Sequence, residues 1–137
     1  MTMDDDQRRA AHQAIVRTVL QTITEGRYED LAEHVADDLV FELPYGPDFI
    51  PNPVEGRDAW DQMQRMTFAL FSSFALELVR FHDCLDPDEL IAEYKSDAVV
   101  ARNGNAYLNT YIGVFRFRDG QISHWREYHN PEATRVL

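Results

Sequence analysis

Three helices are predicted in the first half of the chain. The acidic residues 4–6 favour the start of the first helix through the helix dipole, and Gly26 favours its end. A short second helix follows, and a third begins after Gly56. The apolar positions that recur at helical spacing are Ala11, Ile15, Val19, Leu20 and Ile23 in the first helix, Leu31, Ala32 and Val35 in the second, and Trp60, Met63 and Leu70 with Thr67 in the third.

The second half changes to the alternation that is typical of strands. Four long strands are predicted, at residues 74–85, 90–100, 106–118 and 121–129. A brief strand at residues 39–43 precedes a loop, residues 44–53, whose four prolines exclude regular structure. This order of helices followed by strands predicts an α+β fold, with three N-terminal helices packed on one face of a curved antiparallel sheet.

Long antiparallel strands must twist and bend, and a bent sheet under helices leaves a concavity in which a small molecule can bind. The strand at residues 106–118 shows which residues are expected to face this concavity. Because side chains alternate along a strand, six residues share its aromatic-rich face. They are Tyr107, Asn109, Tyr111, Gly113, Phe115 and Phe117.

The most informative segment is residues 109–131, which is predicted to be a β-hairpin. The Asp119–Gly120 pair between alternating segments is a strong hairpin signal. Glu127 lies two residues from both Trp125 and His129, so the three side chains share one face of the last strand. A carboxylate beside aromatic rings on an inward face is suited to acid–base chemistry.

Charge and composition narrow the function classes. The chain has 137 residues, 45% of them hydrophobic, and a formal net charge of −11. This size is sufficient for one globular domain with a buried core. The acidic balance disfavours a nucleic-acid partner, which requires a basic face, and provides no polybasic membrane anchor.

Other site types are also disfavoured. Cys84 is the only cysteine, and the five histidines show no metal-ligand spacing, so neither a disulfide nor a metal site is expected. The start of the chain is acidic, unlike a signal peptide, and no run of 18 apolar residues is present. We therefore expect a cytoplasmic protein without a membrane segment.

The hairpin resembles that of SnoaL-like proteins, members of the nuclear transport factor 2-like superfamily, and is most similar to the phenazine biosynthesis A/B subfamily. Those proteins show an Asn-x-Tyr-Ile segment, a Phe, an Asp/Asn-Gly-x-Ile turn and an Arg-Glu-aromatic-x-Asn-Pro ending. The segment 54–58, which opens the third helix, adds to the likeness. The matching positions are Asn109, Tyr111, Ile112, Phe115, Asp119, Gly120, Ile122, Arg126, Glu127, Tyr128, Asn130 and Pro131.

The resemblance implies a single cone-shaped α+β domain over residues 1–137. It also implies a chemistry, because members of this superfamily include isomerases, dehydratases, cyclases and epoxide hydrolases. These use acidic side chains in an apolar cone, usually without a metal or cofactor. In the phenazine proteins the glutamate of the Arg-Glu-aromatic motif is an acid–base residue, which implies that role for Glu127.

The expected surroundings of Glu127 favour the same role. Burial of Glu127 between Trp125 and Tyr111 would raise its carboxyl pKa toward neutrality. The alternative is that Glu127 pairs with an arginine and only stabilises the edge of the sheet. Trp125 and Tyr111 are expected either to fill the core or to orient substrate together with Asn109, and in a cone they can do both.

Two further residues are candidates for binding substrate. His129 is either a second acid–base group or a solvent-facing histidine at the end of a strand. Tyr45, in the proline-rich loop with Phe49, either forms a lip over the cavity mouth or belongs to a plain surface connection.

These predictions leave three function hypotheses. The first is a cofactor-independent lyase or isomerase acting on a hydrophobic ring or carbonyl compound. The second is a non-catalytic small-molecule binder, and the third is a protein-interaction module of the same fold. A homodimer is also expected, because Leu108, Ile112 and Val114 would otherwise expose apolar area on the outer face of the sheet.

Overall fold

The computed structural model describes residues 2–137 and confirms the α+β class. The helices precede most of the strands, and the sheet is curved and unclosed. The elements in chain order are α1 (Asp5–Thr24), a 3-10 segment (Tyr28–His34), β1 (Val35–Glu42), β2 (Val54–Glu55), α2 (Arg57–Phe68), β3 (Phe71–Asp83), β4 (Glu89–Val100), β5 (Ala106–Arg118), β6 (Gln121–His129) and a second 3-10 segment (Pro131–Val136). No helix among residues 2–137 is both long and apolar enough to cross a membrane.

The start of α1 is fixed by a reciprocal cap. The Asp4 carboxylate accepts a hydrogen bond from the Gln7 backbone N–H at 2.7 Å, and the Gln7 side chain accepts one from the Asp4 N–H at 2.9 Å. Gly26 follows the helix end with a φ of 69°, the left-handed conformation in which glycine is favoured. Both ends of α1 therefore follow from the local sequence.

The predicted second helix is a 3-10 segment, and Val35, which was assigned to that helix, instead begins β1. This strand starts earlier than predicted because it pairs with β6, with Val35 opposite Ile122. Residues 54–55 were expected to open the third helix. They form β2 instead, which pairs with β1 before α2 begins at Arg57.

The six strands form one sheet in the order β2-β1-β6-β5-β4-β3. Neighbouring strands are antiparallel, apart from β1 and β6, which run parallel. The hairpin of β5 and β6 has the predicted bounds, and its turn residues Asp119 and Gly120 have φ values of 53° and 75°. These positive values are typical of a tight hairpin turn.

The helices bury the inner face of the sheet. The alternation predicted for β5 is confirmed, since its aromatic-rich face is buried while Leu108 and Ile112 are exposed on the outer face. Against the inner face, α1 contributes Val16 and Leu20, and α2 contributes Trp60. The inner face of β4, β5 and β6 is therefore the floor on which the candidate site is built.

Candidate active site

A cavity of about 110 Å³ lies between the inner face of the sheet, α2 and the second 3-10 segment. Its walls are mainly apolar and aromatic, and they come from both the helices and the sheet. The side chains that matter for its chemistry are Gln64 and Met63 from α2, Phe41, Tyr111, Trp125, Glu127 and His129 from the sheet, and Thr134 and Leu137 from the C-terminal segment.

The residues that pair with Glu127 across the neighbouring strands are small. Across the strands, Glu127 lies opposite Gly113, which lies opposite Ala92. A methyl group on Gly113 would come within 2.9 Å of the Tyr94 hydroxyl oxygen and within 2.7 Å of the Phe115 ring. Gly113 therefore provides the space through which Tyr94 reaches Glu127.

Tyr94 connects two polar groups at the floor of the cavity. Its hydroxyl donates a hydrogen bond to Oε2 of Glu127 and accepts one from Nε1 of Trp125 at 3.2 Å. The neighbouring arginine, Arg126, instead lies 3.7 Å from the Glu42 carboxylate. Within residues 2–137, Glu127 forms no ion pair, so the alternative of an arginine-locked carboxylate does not fit this geometry.

Burial sets the protonation states around Glu127. It raises the pKa of the Glu127 carboxyl from 4.5 to about 7, while the hydrogen bond from Tyr94 opposes this rise. Burial also raises the pKa values of the Tyr94 and Tyr111 phenols, each with a contribution from the nearby Glu127 charge. Near neutral pH, Glu127 can therefore exchange a proton while both phenols remain protonated donors.

His129 and Tyr111 form the next row of the sheet and both line the cavity. The Tyr111 ring stacks on Tyr94 at a centroid distance of 5.2 Å, and its hydroxyl lies 2.9 Å from Oγ of Ser96. Burial lowers the pKa of His129, and its Nδ1 is buried without a partner among the described residues. His129 therefore presents a neutral imidazole beside Glu127.

Trp125 belongs to both the core and the cavity wall. It is 2% exposed and packs edge-on against Phe41, with ring centroids 5.5 Å apart. The same indole lines the cavity and bonds to Tyr94. The structure thus brings Glu127, Trp125, Tyr111 and His129 together, and their roles toward a substrate stay predictions.

Asn109 lies outside the group that lines this cavity, and its amide is already occupied by protein. Its Nδ2 donates to the Tyr107 hydroxyl at 2.8 Å and to the Asn130 carbonyl at 3.1 Å. Its Oδ1 accepts from the backbone N–H groups of Thr110 at 2.8 Å and Asn130 at 3.0 Å. This amide joins β5 to the start of the C-terminal 3-10 segment, and its predicted role in substrate binding would require one of these bonds to break.

Tyr45 also lies away from the cavity. It is 59% exposed and packs against Tyr128, with ring centroids 6.0 Å apart. The proline-rich loop does reach the cavity, but through Pro47 and Phe49. The proline-rich loop therefore contributes to the cavity wall through residues other than Tyr45, and its role as a lip over the mouth stays a prediction.

Three contributors to the site were missed from the sequence: Tyr94, Gln64 and the C-terminal 3-10 segment. A signal for Tyr94 was available in the alternation along residues 90–100, because Leu90, Ala92 and Tyr94 share one face of that strand. Glu93 lies on the opposite, outer face, where its Oε2 is 2.5 Å from Nε2 of His82.

A family model described as the SnoaL-like domain matches residues 16–125. The chain belongs to the SnoaL-like domain family. It is 35% identical over 97 residues to an uncharacterized Bacillus subtilis protein, YesE, and 37% identical over 93 residues to an uncharacterized PhzA/B-like protein of Pseudomonas aeruginosa. The alignments cover 69% and 67% of the chain and 65% and 64% of those relatives, so the chain spans slightly less than two thirds of their length.

Solved structures with the same fold carry several activities in their descriptions. A Bacillus subtilis protein provisionally assigned as an isomerase is 26% identical, with a TM-score of 0.82 and coverage of 98% of this chain and 94% of that one. A phenazine biosynthesis-related protein from Pseudomonas aeruginosa is 19% identical, with a TM-score of 0.76 and coverage of 96% and 86%. A Mycobacterium tuberculosis epoxide hydrolase is 18% identical, with a TM-score of 0.70 and coverage of 88% and 83%.

These comparisons confirm the resemblance drawn from the hairpin. The latter two structures share the fold with this SnoaL-like protein, and their low identity shows no more than the fold. The structures of this fold are described with different activities, so the fold by itself does not decide the reaction. The reaction of this chain therefore depends on the residues of its own site.

Proposed function

We propose that this SnoaL-like protein is a cofactor-independent acid–base enzyme that moves a proton on a hydrophobic ring or carbonyl compound, with Glu127 as the proton-transfer group. One observation carries the proposal. The Glu127 carboxyl lines an apolar cavity, is free of any ion pair within residues 2–137, and has its pKa raised to about 7 by burial. A carboxyl group tuned in this way is suited to accept and return a proton near neutral pH.

The geometry supports a proton shuttle. Tyr94 holds Oε2 of Glu127, which leaves Oε1 for the substrate. The ionised carboxylate would take a proton from a carbon next to a carbonyl group, and the electron pair of that C–H bond would move toward the carbonyl to form an enolate. The protonated carboxyl would then return the proton to another carbon, which is an isomerisation, or to a departing hydroxyl group, which is a dehydration.

The aromatic side chains of the cavity wall also favour proton transfer by Glu127. Tyr111 and Trp125 line the cavity with Glu127, are 7% and 2% exposed, and would lower the local dielectric, which would strengthen electrostatic interactions there. Neutral His129, with its unpartnered Nδ1, would supply a hydrogen bond to a polar group of the substrate. Tyr94 does not line the cavity and would act through Glu127, as a positioning residue.

Hydrogen exchange of a small ketone tests the proposal without knowledge of the natural substrate. The protein is incubated with 1-indanone or 2-cyclohexenone in D₂O, and loss of the α-proton signals is followed by NMR. We expect wild-type exchange above background and a loss of about 100-fold or more in Glu127→Gln. Glu93→Gln, which alters an outer-face carboxylate, should retain the wild-type rate. Equal exchange by wild type and Glu127→Gln would contradict the proposal.

A non-catalytic binder is the second candidate, because the apolar cavity exists whether or not Glu127 transfers a proton. Thermal shifts with the same ketones separate the two functions. Stabilisation of both wild type and Glu127→Gln without any exchange would favour the binder.

We also propose a homodimer through the outer face of the sheet. Leu108 and Ile112 on β5 are 61% and 44% exposed, and together they form the apolar strip predicted from the sequence. Light scattering on the eluting protein should give twice the mass of one chain, and Leu108→Lys should shift it toward the monomer. Leu85→Lys is the matched control, since Leu85 is 100% exposed in the connection between β3 and β4 rather than on β5. A wild-type monomer would overturn this proposal.

A further inference from the structure

Gln64 on α2 is a largely buried polar side chain whose amide has no side-chain hydrogen bond within residues 2–137. It is 7% exposed and lines the cavity from the helix side. Its amide forms no side-chain hydrogen bond to any residue in the part of the chain from Thr2 to Leu137, whereas Thr67, one turn away, bonds to the Met63 sulfur at 3.6 Å. The amide atoms of Gln64 are not among the fully buried side-chain atoms that lack a partner, so they keep accessible surface at the cavity wall. An accessible amide without a protein partner, on a side chain that is otherwise buried, can form its hydrogen bond with a ligand in the cavity.

The charges of the cavity limit what that ligand can be. Its lining side chains include Glu127 as the one acidic group and no lysine or arginine among the described residues. An anionic ligand would therefore lose its hydration without gaining a counter-charge, and it would be repelled by ionised Glu127. A neutral molecule with one oxygen able to accept or donate a hydrogen bond avoids both costs.

The placement of Gln64 also suits such a ligand. Glu127 lies on β6 and Gln64 lies on α2, and both line the cavity. The two polar groups therefore belong to different walls of one apolar cavity. The cavity volume of about 110 Å³ is of the order that a single ring occupies. A ring compound would place its oxygen against one wall and its apolar edge against the aromatic side chains.

We infer that Gln64 is a specificity-determining residue, whose amide binds the carbonyl or hydroxyl oxygen of a neutral single-ring compound and so selects it over hydrocarbon and carboxylate analogues. This inference rests on the proposed function only in sharing the same cavity. It does not require that Glu127 transfer a proton.

Three probes of similar shape test this selection: acetophenone, isopropylbenzene and benzoate. Their dissociation constants are measured by NMR titration at pH 6, where Glu127 is largely protonated and its charge does not decide the result. We expect wild type to bind acetophenone more tightly than isopropylbenzene, and benzoate most weakly. Gln64→Leu should reduce the preference for the ketone over the hydrocarbon by about threefold to tenfold, the value of one net hydrogen bond.

Two controls accompany this binding measurement. Gln62→Leu changes an exposed glutamine of the same helix and should leave the preference unchanged. As the second control, exchange of the ketone α-protons is measured separately from binding, so that a failure of proton transfer is distinguishable from a failure of Gln64. If Gln64→Leu does not fold, the side-chain amide signals of Gln64 in the wild type provide a second measurement. These signals should shift more with acetophenone than with isopropylbenzene.

Three results would overturn the inference. The first is an equal loss of affinity for ketone and hydrocarbon in Gln64→Leu. The second is tightest binding of benzoate by the wild type. The third is the absence of binding by all three probes.

Discussion

The Tyr94 hydroxyl donates a hydrogen bond to the Glu127 carboxylate from two strands away, across the space left by Gly113. This bond favours the ionised carboxylate, while burial favours the protonated one, and burial is the larger effect. The pKa of Glu127 near 7 is thus the result of two opposing environments. Each of them can be altered by a substitution.

Tyr94→Phe removes the hydrogen bond and leaves the burial. We expect the pKa of Glu127 to rise above about 7, because the ionised carboxylate loses a donor. A ¹³C NMR titration of the Glu127 carboxyl measures this shift directly. Tyr128→Phe makes the same change at a tyrosine of β6 and is the control. It should leave the pKa of Glu127 unaltered. A lower pKa in Tyr94→Phe would refute the assigned role.

Glu127 should make the free energy of unfolding depend on pH. Its folded pKa of about 7 lies above its ordinary value of 4.5, so the folded protein keeps the proton longer than the unfolded chain does. The stabilising contribution is complete below pH 4.5 and is lost as pH rises through about 7, by on the order of 3 kcal/mol in total.

Glu127→Gln isolates this contribution, because the other titrating groups are common to both proteins. Urea denaturation between pH 4 and 8 should show a steeper fall of stability in wild type than in Glu127→Gln across this window. Glu93→Gln should parallel the wild type. Parallel curves for wild type and Glu127→Gln would show that the carboxyl is not perturbed.

Gly113→Ala should disturb the site through crowding. The added methyl group would meet both the Tyr94 hydroxyl and the Phe115 ring at less than normal contact distance. We expect a loss of stability of about 1–3 kcal/mol and a displaced Tyr94. In a double-mutant cycle, the cost of Gly113→Ala should be smaller in the Tyr94→Phe background. Strict additivity of the two changes would indicate that Gly113 has no role in placing Tyr94.

Asn109→Ala should loosen the C-terminal 3-10 segment. The substitution leaves the Asn130 backbone groups without their partner, at a cost of about 1–3 kcal/mol. Hydrogen exchange at Asn130 and in the segment that follows should accelerate. Asn105→Ala, which removes one longer, exposed bond of 3.4 Å to the Val136 carbonyl, should have a smaller effect. Equal effects from the two variants would indicate that the Asn109 side chain does not hold the C-terminal 3-10 segment in place.

The hairpin was predictable because its signals are local. Alternation along β5 and β6 and the Asp119–Gly120 turn fix both the strand bounds and the residues that face inward. The placement of Glu127, Trp125 and His129 on one face follows from the same two-residue period. The family resemblance rested on this segment as well, and the family match extends it over most of the chain.

The remaining features depend on contacts between segments far apart in sequence. The length of β1 depends on its parallel pairing with β6, whose paired residues lie 84 to 87 positions later in the chain. The amide of Asn109 is occupied because the chain returns at Asn130 after β6. Gln64 resembles any polar residue of an amphipathic helix until the direction of α2 over the sheet is known. Local patterns carry none of this information.

The cavity walls divide into two parts that can change independently. The proposed proton-transfer group, Glu127, and its partner Tyr94 lie on the inner face of β6 and β4. Gln64, Phe49 and Leu137 line the cavity from a helix, a loop and the C-terminal segment. Substitutions in the second group could redirect such a protein to new ligands without altering the acid–base pair beneath them. In laboratory evolution, libraries confined to these three elements would search substrate range while the chemistry stayed constant.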